Sequence, residues 1–158
     1  MKGASAIDQP QYLALLHVLR TSEGLWAASR PFFERWDISP AQFNLLNLVA
    51  DQPEGLSQAA LSRQLLTHRS NVTGLVDRLE RKTWVVRQAS ATDRRLWQVQ
   101  ITSGGRALVD EIRPLYLNSA LQLMEGVSPA EAESMIRLLS QIDKNCQRLE
   151  PNWVSPSR

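Results

Sequence analysis

The chain is 158 residues long, 43% hydrophobic and 22% charged, with a net charge of +2. That suffices for one domain with its own core, and no stretch approaches the roughly 18 uninterrupted apolar residues of a membrane span. The single cysteine, Cys146, excludes an internal disulfide and a thiolate metal cage; with no apolar leader in MKGASAIDQP, the expected compartment is the cytoplasm.

From Pro10 to about Trp36, Tyr12, Leu13, Leu16 and Leu19 recur at helical spacing. Pro31 predicts a kink or break near Ser29–Arg30, because proline removes a donor and restricts the residue before it. Ser39-Pro40 is an N-cap followed by a first-turn proline, and Phe43, Leu45, Leu46, Leu48 and Val49 fill the next helix. After the Glu54-Gly55 turn, Ser57 caps a short helix that ends at Thr67 or His68. A longer helix follows to about Lys82, with Val72, Leu75, Val76 and Leu79 on one apolar stripe. Trp84–Arg87 and Leu96–Ile101 are strand-prone and flank the polar stretch Gln88–Arg95. They predict a hairpin with a basic tip, packed by Trp84 and Trp97. A helix runs from about Gly105 to Glu125, bent at Pro114. Ser128-Pro129-Ala130-Glu131 then predicts a capping box for a last helix to about Leu149, with Cys146 buried in it. This order, short helices then the striped helix then a hairpin, is the layout of a winged helix-turn-helix inside a mainly α chain.

Charge is localised on that layout. Residues 61–100 hold eight Lys/Arg against three acids, and the rest of the chain holds ten against thirteen. A basic segment on an otherwise acidic chain points to a polyanion partner, here double-stranded DNA. On the striped helix Ser70, Gly74, Asp77 and Arg81 lie opposite the apolar face, flanked by Arg69, Asn71, Thr73 and Arg78. Short polar side chains on the N-terminal half suit entry into a major groove; Arg69 can bond guanine bidentately and Asn71 adenine. Gly74 would allow close approach of the backbone to DNA. Arg94 and Arg95 at the hairpin tip suit phosphates or the minor groove, and Asp77 and Asp93 are placed to orient the wing arginines. His17 and His68 have no metal-ligand spacing around them, and no nucleophile elbow, Walker loop or dinucleotide fingerprint occurs, so no metal, cofactor or catalytic site is expected.

The segments LSRQL, RSNVTGLVDRLER, Val85-Val86-Arg87, Asp93-Arg94-Arg95 and ITSGGR, in that order and register, resemble the MarR family of transcriptional regulators. The resemblance implies a homodimer on a pseudo-palindromic operator, acting as a repressor and released by a small, often aromatic, anion. It also implies that residues 8–30 and 105–150 are N- and C-terminal dimerisation helices around a DNA-binding lobe at 38–104, all in one chain spanning 1–158. Leu108, Ile112, Leu121, Ile136 and Leu139 are among the apolar residues these helices carry beyond the needs of one small core. An effector crevice is expected near His17, Trp26, Trp36, Phe43 and Asn44. One departure stands out: Thr83 occupies the position where relatives usually end the recognition helix with glycine, so either the helix ends differently or the turn is strained. The rival reading is a winged-helix protein-interaction module that binds no DNA; such a module has no need of Arg94 and Arg95.

Overall fold

In the computed structural model, which describes residues 9–65, 67–89 and 97–148, the first helix is α1, Pro10–Glu34. Pro10 starts it, and Pro31 does not end it. The expected break is absent because the last turn is anchored beyond the proline: Phe33 is fully buried, with ring centroids 4.9 Å from both Phe32 and Phe43. That burial outweighs one missing backbone hydrogen bond. The helix closes where the Asp37 amide bonds the Glu34 carbonyl and the Ile38 amide bonds the Phe33 carbonyl, with Asp37 left-handed at φ 51°.

Helix α2, Pro40–Ala50, opens with the full capping box: the Gln42 amide donates to Ser39 Oγ at 3.2 Å, and the Ser39 amide to Gln42 Oε1 at 2.8 Å. Strand β1, Leu56–Ser57, leads into α3, Gln58–Gln64, whose N-cap Ser57 accepts from the Ala60 amide. Helix α4, Arg69–Arg81, is followed by strands β2, Val85–Ala89, and β3, Trp97–Ile101. The sheet is antiparallel in the order β1-β3-β2, with Leu56 opposite Val99 and Arg87 also opposite Val99. β1 is too short to show a period in the sequence. Trp97, expected to pack the hairpin, is 59% exposed.

Helix α5, Ser103–Leu123, begins two residues earlier than expected because Thr102 caps it: Thr102 Oγ1 accepts from the Gly105 amide and donates to the Thr83 carbonyl. Gly105 is required here, since a Cβ would lie 2.1 Å from the Trp84 carbonyl oxygen. Helix α6 is Pro129–Arg148.

The chain forms two compact units, one ending at Arg113 and the next starting at Pro114. The first holds the core: Phe33, Phe43, Leu45, Leu46 and Val49 from α1 and α2, Leu61 from α3, the stripe Val72, Leu75, Val76 and Leu79, Val85 and Val99 from the hairpin, and Val109 and Ile112 from α5. Arg106 donates to the Ala50 carbonyl, and Arg113 bonds Asn47 Oδ1 at 2.8 Å and both Asp51 carboxylate oxygens at 3.1 Å. These bonds pin the first half of α5 to the end of α2, and the one from Arg106 fills a carbonyl that lacks an internal helix partner. In the second unit Ser128 and Glu131 form the predicted capping box. Leu117, Leu121, Ile136, Leu138 and Leu139 are exposed there. Cys146, expected buried, is also exposed, because none of the described residues of this unit covers that face of α6.

Candidate nucleic-acid interface

Helices α3 and α4 and the turn between them make the helix-turn-helix. Ser62 Oγ donates to the Thr67 carbonyl at 2.6 Å and the Thr67 amide returns a bond to the Ser62 carbonyl, which fixes the turn. His68 is the N-cap of α4; its Nδ1 accepts from the Ser70 amide at 3.4 Å and lies 3.0 Å from Ser70 Oγ. Sequence reasoning treated His68 only as a helix breaker, because histidine is an uncommon cap.

With the Val72–Leu79 stripe buried, the opposite face of α4 is exposed at Arg69, Ser70, Asn71, Thr73, Asp77, Arg78 and Arg81, and half-buried at Gly74. All the candidate reading residues on this helix therefore share one surface. They are not equally free. Asn71 Nδ2 donates to Thr67 Oγ1 at 3.1 Å. The Thr73 hydroxyl lies 3.0 Å from Gln58 Oε1 and 3.1 Å from the Arg69 carbonyl, so it also braces α4 against α3. A Cβ on Gly74 would meet only the Arg78 guanidinium, at 3.6 Å. Among the described residues neither Arg69 nor Arg78 has an acidic partner.

The C-terminus of α4 resolves the question of Thr83. The Thr83 amide bonds the Glu80 carbonyl, the Trp84 amide bonds the Leu79 carbonyl, and Thr83 sits at φ 59°. This is the glycine-type closure carried by a β-branched residue, hence strained. Lys82 ties this turn to the similar one after α1: its Nζ reaches Asp37 Oδ2 at 2.5 Å and the Asp37 carbonyl.

The wing tip residues Asp93, Arg94 and Arg95 lie outside the described residues. Asp77 does orient an arginine, but the partner within the described residues is Arg87 on β2. Arg87 Nη2 lies 2.5 Å from Asp77 Oδ1, Nη1 bonds Glu80 Oε2, and the Arg87 amide donates to Glu80 Oε1 at 3.0 Å. Burial works against the Arg87 charge, but the hydrogen bond to Asp77 and the fields of Glu80 and Asp77 outweigh it and hold its pKa above the ordinary value. The sequence places Arg87 in a strand-prone, family-like segment but gives it no role. The available signal was the Asp77/Glu80 pair, three residues apart on one helix face.

A crevice of about 830 Å³ is lined by Ser22 and Trp26 of α1, Ala41 and Asn44 of α2, and Thr67, Ser70, Asn71, Gly74 and Arg78 around the start of α4. Of the five expected effector residues, Trp26 and Asn44 line it. Phe43 does not: it is buried against Phe33. Trp36 packs near Phe32 and donates from Nε1 to Glu111 at 2.7 Å, and His17 is exposed away from the lining set. The error at Phe43 follows from helix geometry, since adjacent residues point in different directions and Asn44 takes the outer one. Among the described residues no group of three or more His, Cys, Asp or Glu is placed to hold a metal, and no helix is long and apolar enough to cross a membrane.

A sequence profile of the MarR family matches residues 36–96, from the end of α1 to the wing. The chain is 31% identical over 114 residues to the HTH-type transcriptional regulator MhqR of Bacillus subtilis, covering 70% of this chain and 76% of that protein. It is 30% identical over 110 residues to the transcriptional repressor MprA of Escherichia coli, covering 70% and 62% of the two chains. The crystal structure of an S. aureus MepR–DNA complex superposes with a TM-score of 0.73 at 24% identity, over 85% of this chain and 97% of that one. The chain belongs to the MarR family of winged helix-turn-helix transcriptional regulators.

Proposed function

We propose that the protein is a cytoplasmic repressor that binds a pseudo-palindromic operator as a homodimer and acts by binding, without catalysis. In this reading residues 38–104 are the DNA-binding lobe, and residues 8–30 and 105–150 supply the dimer contacts. The observation that carries it is the outer face of α4. Arg69, Ser70, Asn71 and Arg78 stand exposed on a helix whose opposite stripe is buried, and the arginines have no acidic partner among the described residues. Arg69 and Arg78 can exchange water for a base edge at little reorganisation cost, whereas Asn71 and Ser70 trade their bonds to Thr67 and His68 for it. Arg81 and the wing arginines Arg94 and Arg95 then hold phosphates or the minor groove. The MprA likeness supports the repressor sign, and the exposed apolar residues of α5 and α6 support a second copy.

A two-fold dimer presents its two reading helices about 34 Å apart, one turn of DNA. The crevice beside α4 suits a small effector that has an aromatic part for Trp26 and an anionic group for Arg78. Selection of duplexes from a random library with the full chain, followed by footprinting, tests the reading. It should return an inverted repeat with half-sites about ten base pairs apart. Failure to enrich any sequence would favour the protein-interaction module instead.

A further inference from the structure

Two kinds of arginine stand on the proposed DNA face. Arg69 and Arg78 have no acidic partner among the described residues, whereas Arg87 is held by two carboxylates of the reading helix and by its own backbone amide. Asp77 and Glu80 lie three residues apart, so both project from one side of α4 toward β2. The guanidinium fork takes one carboxylate on each terminal nitrogen, and the strand amide takes the second oxygen of Glu80. The rigid planar fork directs the two side-chain bonds from separate nitrogens, a geometry that a lysine ammonium does not reproduce. Two negative charges more than cancel its positive one, so this cluster adds no attraction for a polyanion. A helix meant only to attract DNA would be better without the acids.

We infer that Arg87 is a positioning residue: it locks the wing strand to the reading helix through Asp77 and Glu80, so that hairpin and helix meet DNA as one rigid piece. The inference rests on the DNA-binding reading above. Surface ion pairs contribute little by themselves, but a fork braced by a backbone bond restricts geometry as well as energy. The lock lies at the middle of β2, opposite Val99, which is fully buried; paired residues share a face of the sheet, so Arg87 extends the contact that the buried Val85 and Val99 make on that same face.

The sign of one substitution separates a lock from simple electrostatics. Asp77→Asn removes a negative charge from the DNA face. If charge alone matters, it tightens binding to every sequence and steepens the salt dependence. If Arg87 is a positioning residue, binding to a duplex selected with the wild-type chain weakens by about tenfold, the effect of one lost charge-assisted bond, while binding to scrambled duplex is unchanged or tighter. Arg87→Lys keeps the charge but not the fork, and should show the same selective loss. Glu80→Gln gives a third, independent cut, and thermal melts of each variant confirm a folded state. In a double-mutant cycle, Asp77→Asn should cost little more once Arg87→Gln is present. Tighter binding of Asp77→Asn to both duplexes, or wild-type behaviour of Arg87→Lys, overturns the lock and leaves the DNA reading standing. A wild-type chain that enriches no duplex overturns the DNA reading and the lock with it.

Discussion

At Thr83 the backbone asks for glycine and the chain supplies a β-branched residue, at φ 59°. A left-handed conformation costs a non-glycine residue about 1–2 kcal/mol, and Thr83 is exposed, so little packing offsets it. Thr83→Gly should therefore raise stability by about 1 kcal/mol net of the extra unfolded-state freedom of glycine, which raises Tm by about 2–4 °C in a chain this size. A thermal melt that moved down instead would show the turn unstrained. Gly74 invites the opposite experiment. Its missing Cβ would meet only Arg78, at an ordinary contact distance. Gly74→Ala should add up to about 1 kcal/mol to the helix while weakening binding to the selected duplex, because in the proposed complex the methyl group would stand where the backbone approaches DNA. Equal or better DNA binding would put Gly74 outside the contact surface. The sequence carried both glycine arguments, since each depends on backbone preference alone. It did not carry the partner of Asp77 or the burial of Phe43, because both depend on which side chains a distant element delivers.

Helix ends were the most legible part of the elements. Ser39, Ser57 and Ser128 are each legible as caps from local sequence, and each accepts a bond from the amide three residues on. Ser39→Ala should cost about 1 kcal/mol, read by chemical denaturation, since it orphans the Gln42 amide at a partly buried position. In α6 the hydrogen bonds from the Ser128 hydroxyl and then its amide hold the Glu131 carboxyl below the ordinary 4.5. A depressed folded pKa means its contribution is complete above that value and is lost as pH falls through the lowered one. Far-UV circular dichroism of the wild type should show α6 fraying in that acid window, and Glu131→Gln should remove the response. Pro31 shows the limit of local reasoning: its cost is real, but Phe33 and Phe43 decide whether the helix continues. β1 shows another, since two residues become a strand only because β3 is there to pair with them.

For the molecule as a whole, the account requires a second copy. Ile136 and Leu138 are each 64% exposed on α6, as are several apolar residues of α5. Apolar surface of that extent marks an interface. Ile136→Arg should leave the single chain folded, because the residue contacts little within it, yet convert the dimer to monomer by sedimentation. A variant that remains dimeric would place the interface elsewhere. The architecture was legible because stripe, caps and hairpin each follow from local sequence; the crevice beside α4 was legible only in part, because Trp26 and Asn44 come from different helices. The central claim is that α4 reads sequence through its exposed polar face. Its most direct test compares Asn71→Ala with wild type on selected and scrambled duplexes across a range of salt. The account predicts a loss of about 1–3 kcal/mol on the selected duplex, relaxed preference at one base pair, and an unchanged affinity for the scrambled one. Equal losses on both duplexes, or no loss on either, would contradict it.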